Sequence, residues 1–127
     1  MLEASQFGAT TPISFTGQMT AYNPVCRGCS GRVSCPPRQD VRNGNIYFED
    51  STYGKIRIVA ADSNIPCGTV VQITSVSFST EPIIAIVLDR GGAIKGNIMD
   101  FLVSETDNMD VIGRQKEVHY ETLRWGW

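Results

Sequence analysis

The sequence has a single histidine, His119, in 127 residues. That scarcity weighs against a mechanism built on a cysteine thiolate, which would have little imidazole to work with. Lys and Arg together number 11 against 13 Asp and Glu, a net charge of -2. There is no basic excess to draw the chain to nucleic acid. No apolar run reaches the roughly 18 residues that mark a membrane-spanning helix. The opening MLEASQFGATTPISFTG lacks the basic start and apolar stretch of a secretory leader, so a leader is expected to be absent from this chain. The segment GGAIKG has neither the spacing of a phosphate-binding loop nor a Ser or Thr after its lysine. LDRGG, likewise, is not the D-T/S-G signature of an aspartic protease.

What is present is the composition of a folded domain, 42% hydrophobic and 19% charged. The length predicts one domain over residues 1–127. Its periodicity is that of strands. FTGQMTAY sets Phe15, Met19 and Ala21 against Thr16, Gln18, Thr20 and Tyr22. Further strands are expected in NIYFED, KIRIVA, TVVQITSV, IIAIVLD and IMDFLV. KEVHYETLRW closes the series, with Val118, Tyr120 and Thr122 alternating against His119, Glu121 and Leu123. SETDNMDVIG carries helix signals: Ser104 as N-cap, acidic residues in the first turn, and Gly113 as the stop. Six or more short strands with one or two short helices predict a small β-barrel, because closure removes exposed edges.

Residues 23–54 are irregular and rich in Gly, Pro, Asn, Arg and Cys. An insertion of that length is stapled or functional. It holds Cys26, Cys29 and Cys35, and Cys67 follows in IPCGT. Four cysteines permit three disulfide connectivities if all are paired. Cys26 and Cys29 also have the spacing of half a zinc site, although neither Cys35, Cys67 nor His119 supplies a matching second pair. Buried free thiols are the third reading, and all three readings are structural.

The chemistry points to aspartates. Asp62 and Asp89 each end an apolar run, and Asp100 lies just inside another. Carboxylates there are costly to desolvate unless they are paired, hydrogen-bonded or used. Two of them facing one groove would raise the pKa of one, which suits an acid that protonates a leaving group. Gly91, Gly92 and Gly96 would allow close approach of a ligand or a positive φ. Lys95 would bind a polar or anionic substrate group, or neutralise an aspartate; Arg90, beside the proposed pair, would lower a carboxyl pKa and weaken an acid. The plainer alternative is that strand-end aspartates cap turns.

Four segments carry a resemblance: MTAY (19–22), AADSNIPCGT (60–69), VLDRGGAIKGNIMDFLV (87–103) and VHY (118–120). They are similar to the 3D domain, named for three aspartates. That domain is related to the barrel of the MltA-type lytic transglycosylases and to the stationary-phase-survival proteins of Firmicutes. The most specific part is D-x-G-G-A-I-K-G-x-x-x-D, from Asp89 to Asp100. The resemblance implies a six-stranded double-psi β-barrel and cleavage of the MurNAc–GlcNAc β-1,4 bond of peptidoglycan, leaving a 1,6-anhydro sugar. It implies Asp100 as the acid, Asp89 as its neighbour and Asp62 as the third, orienting aspartate. Thr20, Tyr22, Gly91, Gly92, Ala93 and Lys95 would contact the glycan. No cofactor or metal is called for. The expected partner is the glycan strand, and the expected location is secreted or at a bacterial cell wall. The competing class is a non-catalytic glycan-binding module of the expansin type, for which Trp125 and Trp127 could supply a stacking face.

Overall fold

The structure is a computed structural model that describes residues 14–25, 29–107 and 112–126. Its strands are β1 (Ser14–Tyr22), β2 (Tyr47–Asp50), β3 (Gly54–Ala60), β4 (Val70–Thr74), β5 (Ile83–Asp89), β6 (Ile98–Leu102) and β7 (Gln115–Arg124). Six of them close into a barrel in the order β3-β5-β4-β7-β1-β6 and back to β3. β2 stands outside the ring. It shares one edge of β3 with β6: residues 54–57 pair with β2, and Val59 and Ala60 pair with Phe101 and Asp100. Two parallel pairs, β1–β6 and β3–β5, sit among antiparallel ones, in keeping with a double-psi barrel.

Alternation along the strands makes two cores. One face of every ring strand fills the interior, with Met19, Val59, Val71, Val87, Phe101 and Tyr120 all buried together. The opposite faces of β3, β5 and β6 send Ile58, Ile86, Leu88 and Leu102 outward, where Val33, Cys35, Val41 and Ile46 of the 23–54 insertion cover them. The insertion is therefore a packed layer over one side of the barrel. Cys35 pairs with Cys67 in a disulfide, and Cys29 is also disulfide-bonded; Cys26 lies outside the described residues. Gly17 is required by a close approach, since a Cβ there would stand 1.9 Å from the Asn97 carbonyl oxygen.

The expected short helices are absent among the described residues. Residues 104–107 form a turn in which the Ser104 N–H donates to Asp107 Oδ2 (3.0 Å) and the Asp107 N–H to the Ser104 carbonyl (3.1 Å). The bond to Asp107 Oδ2 is one half of a capping box; the other is a backbone turn bond, and the Ser104 hydroxyl contacts Thr106 instead. Residues 108–111 of the expected helix lie outside the described residues.

The β2–β3 hairpin is pinned to β7 by an ion pair. Buried Asp50 accepts from both terminal nitrogens of Arg124 and from the N–H groups of Thr52 (2.9 Å) and Tyr53 (3.0 Å). The Arg124 hydrogen bond in particular holds the Asp50 carboxyl far below the usual carboxylate range. Asp50→Ala is expected to cost about 2 kcal/mol at pH 7, because it leaves a charge and two turn donors without their acceptor. With a depressed native pKa, this contribution is complete above the unfolded value near ~3.9 and is lost as pH falls through the native one. Urea midpoints of wild type and variant should therefore converge in acid.

Candidate active site

Ring closure lines up four residues across four strands. Thr20 of β1 is opposite Asp100 of β6, Asp100 is opposite Ala60 of β3, and Ala60 is opposite Asp89 of β5. Asp89 reaches this row only through a bulge. Val59 pairs with Val87 but Ala60 pairs with Asp89, so Leu88 is an extra residue in β5. Without it Asp89 would follow Ala85 and Val87 into the barrel interior; the bulge turns it to the outer face, where Asp100 also lies. Ala60 between them adds only a methyl group. The row opens into a groove of about 420 Å³ lined by Tyr22, Asp89, Asp100 and Gly91 to Ala93 on the barrel side. Arg32 and Ser34 of the insertion form the other wall.

The two carboxylates live in different surroundings. Asp89 is 8% exposed and takes only donors: Tyr22 Oη at 2.7 Å on Oδ2, and Ser34 N (3.0 Å), Ser34 Oγ (2.9 Å) and Arg90 N (2.9 Å) on Oδ1. That set suits the acceptor-only, ionised form. Asp100 accepts one side-chain bond, from Thr20 Oγ1 at 2.8 Å. Burial pushes its pKa up, and the charge of Asp89 adds to the rise; the Thr20 bond and the more distant Arg114 oppose it. One acid held toward its protonated form beside one carboxylate loaded with donors is the arrangement that acid–base chemistry requires. Tyr22 is itself pushed well above the usual phenol range, first by burial and then by Asp89, so its hydroxyl keeps its proton for Asp89.

The other expected site residues divide. Thr20 and Tyr22 turn their hydroxyls to the carboxylates, and Gly91, Gly92 and Ala93 line the groove. Asp62 stands apart: its carboxylate accepts from the N–H groups of Gly96 and Asn64 (2.8 Å for Asn64), which hold its pKa down, and Lys95 is exposed near it. Of Gly91, Gly92 and Gly96, only Gly96 has a left-handed φ, 69°. Arg90 borders the groove but turns its side chain to backbone groups. Its guanidinium bonds the carbonyls of Ala61 (3.2 Å) and Asp62 (2.7 Å) and reaches Cys67 Sγ at 3.5 Å. Trp125 lines a separate cavity with Phe15, Ile65 and Met99; Trp127 lies outside the described residues.

Sequence reasoning missed Ser34. The alternation of buried Val33 and Cys35 around an exposed serine was the available signal, since it aims Ser34 away from the core. The Cys35 N–H then bonds the Leu88 carbonyl (2.8 Å) at the bulge, which brings Ser34 beside Asp89.

A closed six-stranded barrel with a carboxylate pair on its outer face, roofed by a disulfide-tied insertion, defines the class of protein. Within that class the chain belongs to the 3D domain family, whose pattern matches residues 57–123, 67 of the 127. The family fits a cell-wall lytic transglycosylase-like domain. The chain is also similar to the SPbeta prophage-derived uncharacterized protein YorM of Bacillus subtilis (strain 168), with 33% identity over 98 residues. The match covers 76% of this chain and 37% of that protein, so the chain spans little more than a third of its relative. No solved structure matches with significance.

Proposed function

We propose that this chain is a peptidoglycan lytic transglycosylase that cleaves the MurNAc–GlcNAc β-1,4 bond with Asp100 as acid and then base. The observation that carries the reading is the asymmetry of the pair: Asp100 is raised by burial and by Asp89, while Asp89 is held by four donors in the same groove. Asp100 gives its proton to the glycosidic oxygen as the bond from that oxygen to C1 of MurNAc breaks. Positive charge developing at C1 is stabilised by Asp89. The C6 hydroxyl of the same sugar attacks C1 and returns its proton to Asp100, so the acid is regenerated and no water is consumed. An internal nucleophile has a high effective molarity, which removes the need for a second carboxylate to position water.

In this scheme Thr20 and Tyr22 orient the carboxylates, and Gly91, Gly92 and Ala93 contact the sugar backbone. Asp62 acts at one remove, by holding the loop through Gly96, and Lys95 meets the glycan beyond the cleavage point. The disulfides support a secreted or cell-wall location. The test is digestion of purified peptidoglycan followed by mass spectrometry. Anhydromuramyl ends are expected. Reducing ends would mean hydrolysis by water, and binding without any product would favour the glycan-binding module.

A further inference from the structure

Phe101 follows Asp100 on β6 and points to the opposite face. On that side the β2–β3 hairpin, Phe78 and Pro82 surround a second cavity, also of about 420 Å³. Among the described residues three large hydrophobic side chains are exposed, and two of them, Tyr47 and Tyr53, border this cavity. Both of its cations lie over Tyr47: Lys55 Nζ is 4.7 Å from the ring centroid and Arg57 Cζ 5.2 Å. Arg57 also stacks on Phe101, at 4.3 Å, and its Nη2 donates to the Leu102 carbonyl at 2.7 Å. Its Nε is buried with no hydrogen-bond partner among the described residues. No carboxylate lines the cavity; Asp107, outside the lining, is the acid whose charge reaches Arg57.

A buried N–H without an acceptor is rare in a folded protein and needs a reason. Here the cavity supplies unpaired positive charge next to flat, exposed rings. We propose that this cavity is a second binding site, distinct from the Asp89–Asp100 groove, for a carboxylate-bearing saccharide. The carboxylate meets Lys55 and the part of the Arg57 guanidinium that lines the cavity, and a sugar ring lies on the tyrosine ring surface that Lys55, Arg57 and Arg124 leave uncovered, whose negative π-surface complements the weakly positive C–H face of a pyranose. A bare inorganic anion would leave the tyrosines without use, and a neutral sugar would leave the cations so. Tyr47 and Tyr53 come from the insertion and Lys55 from the start of β3, ahead of the family-matched residues 57–123, while Arg57, Phe78 and Phe101 lie within them. It does not depend on the groove being catalytic.

The test follows backbone amide shifts of the full, isotope-labelled chain carrying Asp100→Asn, titrated with a GlcNAc–MurNAc disaccharide whose lactyl carboxylate is free. Saturable shifts are expected at Tyr47, Tyr53 and residues 55–57. Affinity should fall at least about tenfold in Lys55→Glu and in Tyr47→Ala, both exposed positions where the fold is retained. A neutral GlcNAc disaccharide should bind at least about tenfold more weakly, and inorganic phosphate should not saturate the same residues. Shifts confined to the groove, insensitivity to both substitutions, or equal binding of the neutral sugar or of phosphate would overturn the proposal. A chain that fails to make anhydro products can still pass this test, and an active lyase can fail it.

Discussion

Asp100→Asn is expected to lower release of anhydromuramyl products by at least about 10²–10⁴-fold, the range a positioned acid–base group supplies. The upper end applies because one residue serves both proton transfers. Asn keeps the shape and can still accept the Thr20 hydroxyl, so the lost rate reports the proton and not the fold. The same substitution should raise the melting temperature at pH 7. Burial raises the native pKa of Asp100 above its unfolded value. The native state therefore binds that proton more tightly, and stability falls as pH rises from the unfolded pKa to the native one. Asn does not titrate and escapes this loss. The two proteins should melt together below about pH 4, where Asp100 is protonated even when unfolded. Wild-type turnover should decline as pH rises through the native pKa, because the acid form is consumed. Calorimetry at the two pH values, with product release alongside, checks each part, and full activity in the variant would remove Asp100 from the chemistry.

Replacing Cys35 and Cys67 together by serine should have the largest effect on stability, a loss of about 3–4 kcal/mol in the chain-entropy account for a loop of this length, here a separation of 32 residues. The effect on catalysis should exceed what unfolding explains. Cys35 adjoins Ser34, which gives Asp89 two of its four donors, and Cys67 is the sulfur that Arg90 approaches. Freed from the barrel, the insertion would leave Asp89 short of partners and the groove without its second wall. Ser34→Ala separates the two roles, since it removes one hydroxyl bond and keeps the disulfide. Its urea midpoint should stay close to wild type while turnover falls. If the double-serine protein, assayed where it is still folded, turned over at the wild-type rate, the insertion would be holding Asp89 without help from the sulfur bridge.

Much of the barrel is legible along the chain because its strands obey local rules. IIAIVLD is a strand from its first residue to its last, and Val118, Tyr120 and Thr122 point inward as their alternation predicts. The triad of aspartates is legible only in part, because facing a common groove is a matter of register between distant segments. No local signal marks Leu88 as a bulge, yet that single extra residue decides whether Asp89 meets Asp100 or is buried with Val87. Asp62 looks like its two companions in sequence, at the end of an apolar run. Backbone donors nearby claim it, so it serves the turn instead. Ser34 was hidden for the opposite reason: it lies in an irregular stretch whose path is set by a disulfide and by one bond to the Leu88 carbonyl. Cysteine count alone left that pairing open.

The joint between β3 and β6 rests on two residue pairs, where the other joints of the ring have four or five. Asp100 and Ala60 form one of those two. A local opening there would part Asp100 from Ala60, and so from Asp89, while every other joint remained made, and such openings need far less free energy than global unfolding. Competence is then a property of the wound ring and not of the barrel as an average object. On gentle warming the chain should fall silent as an enzyme while its circular dichroism is still that of the native protein.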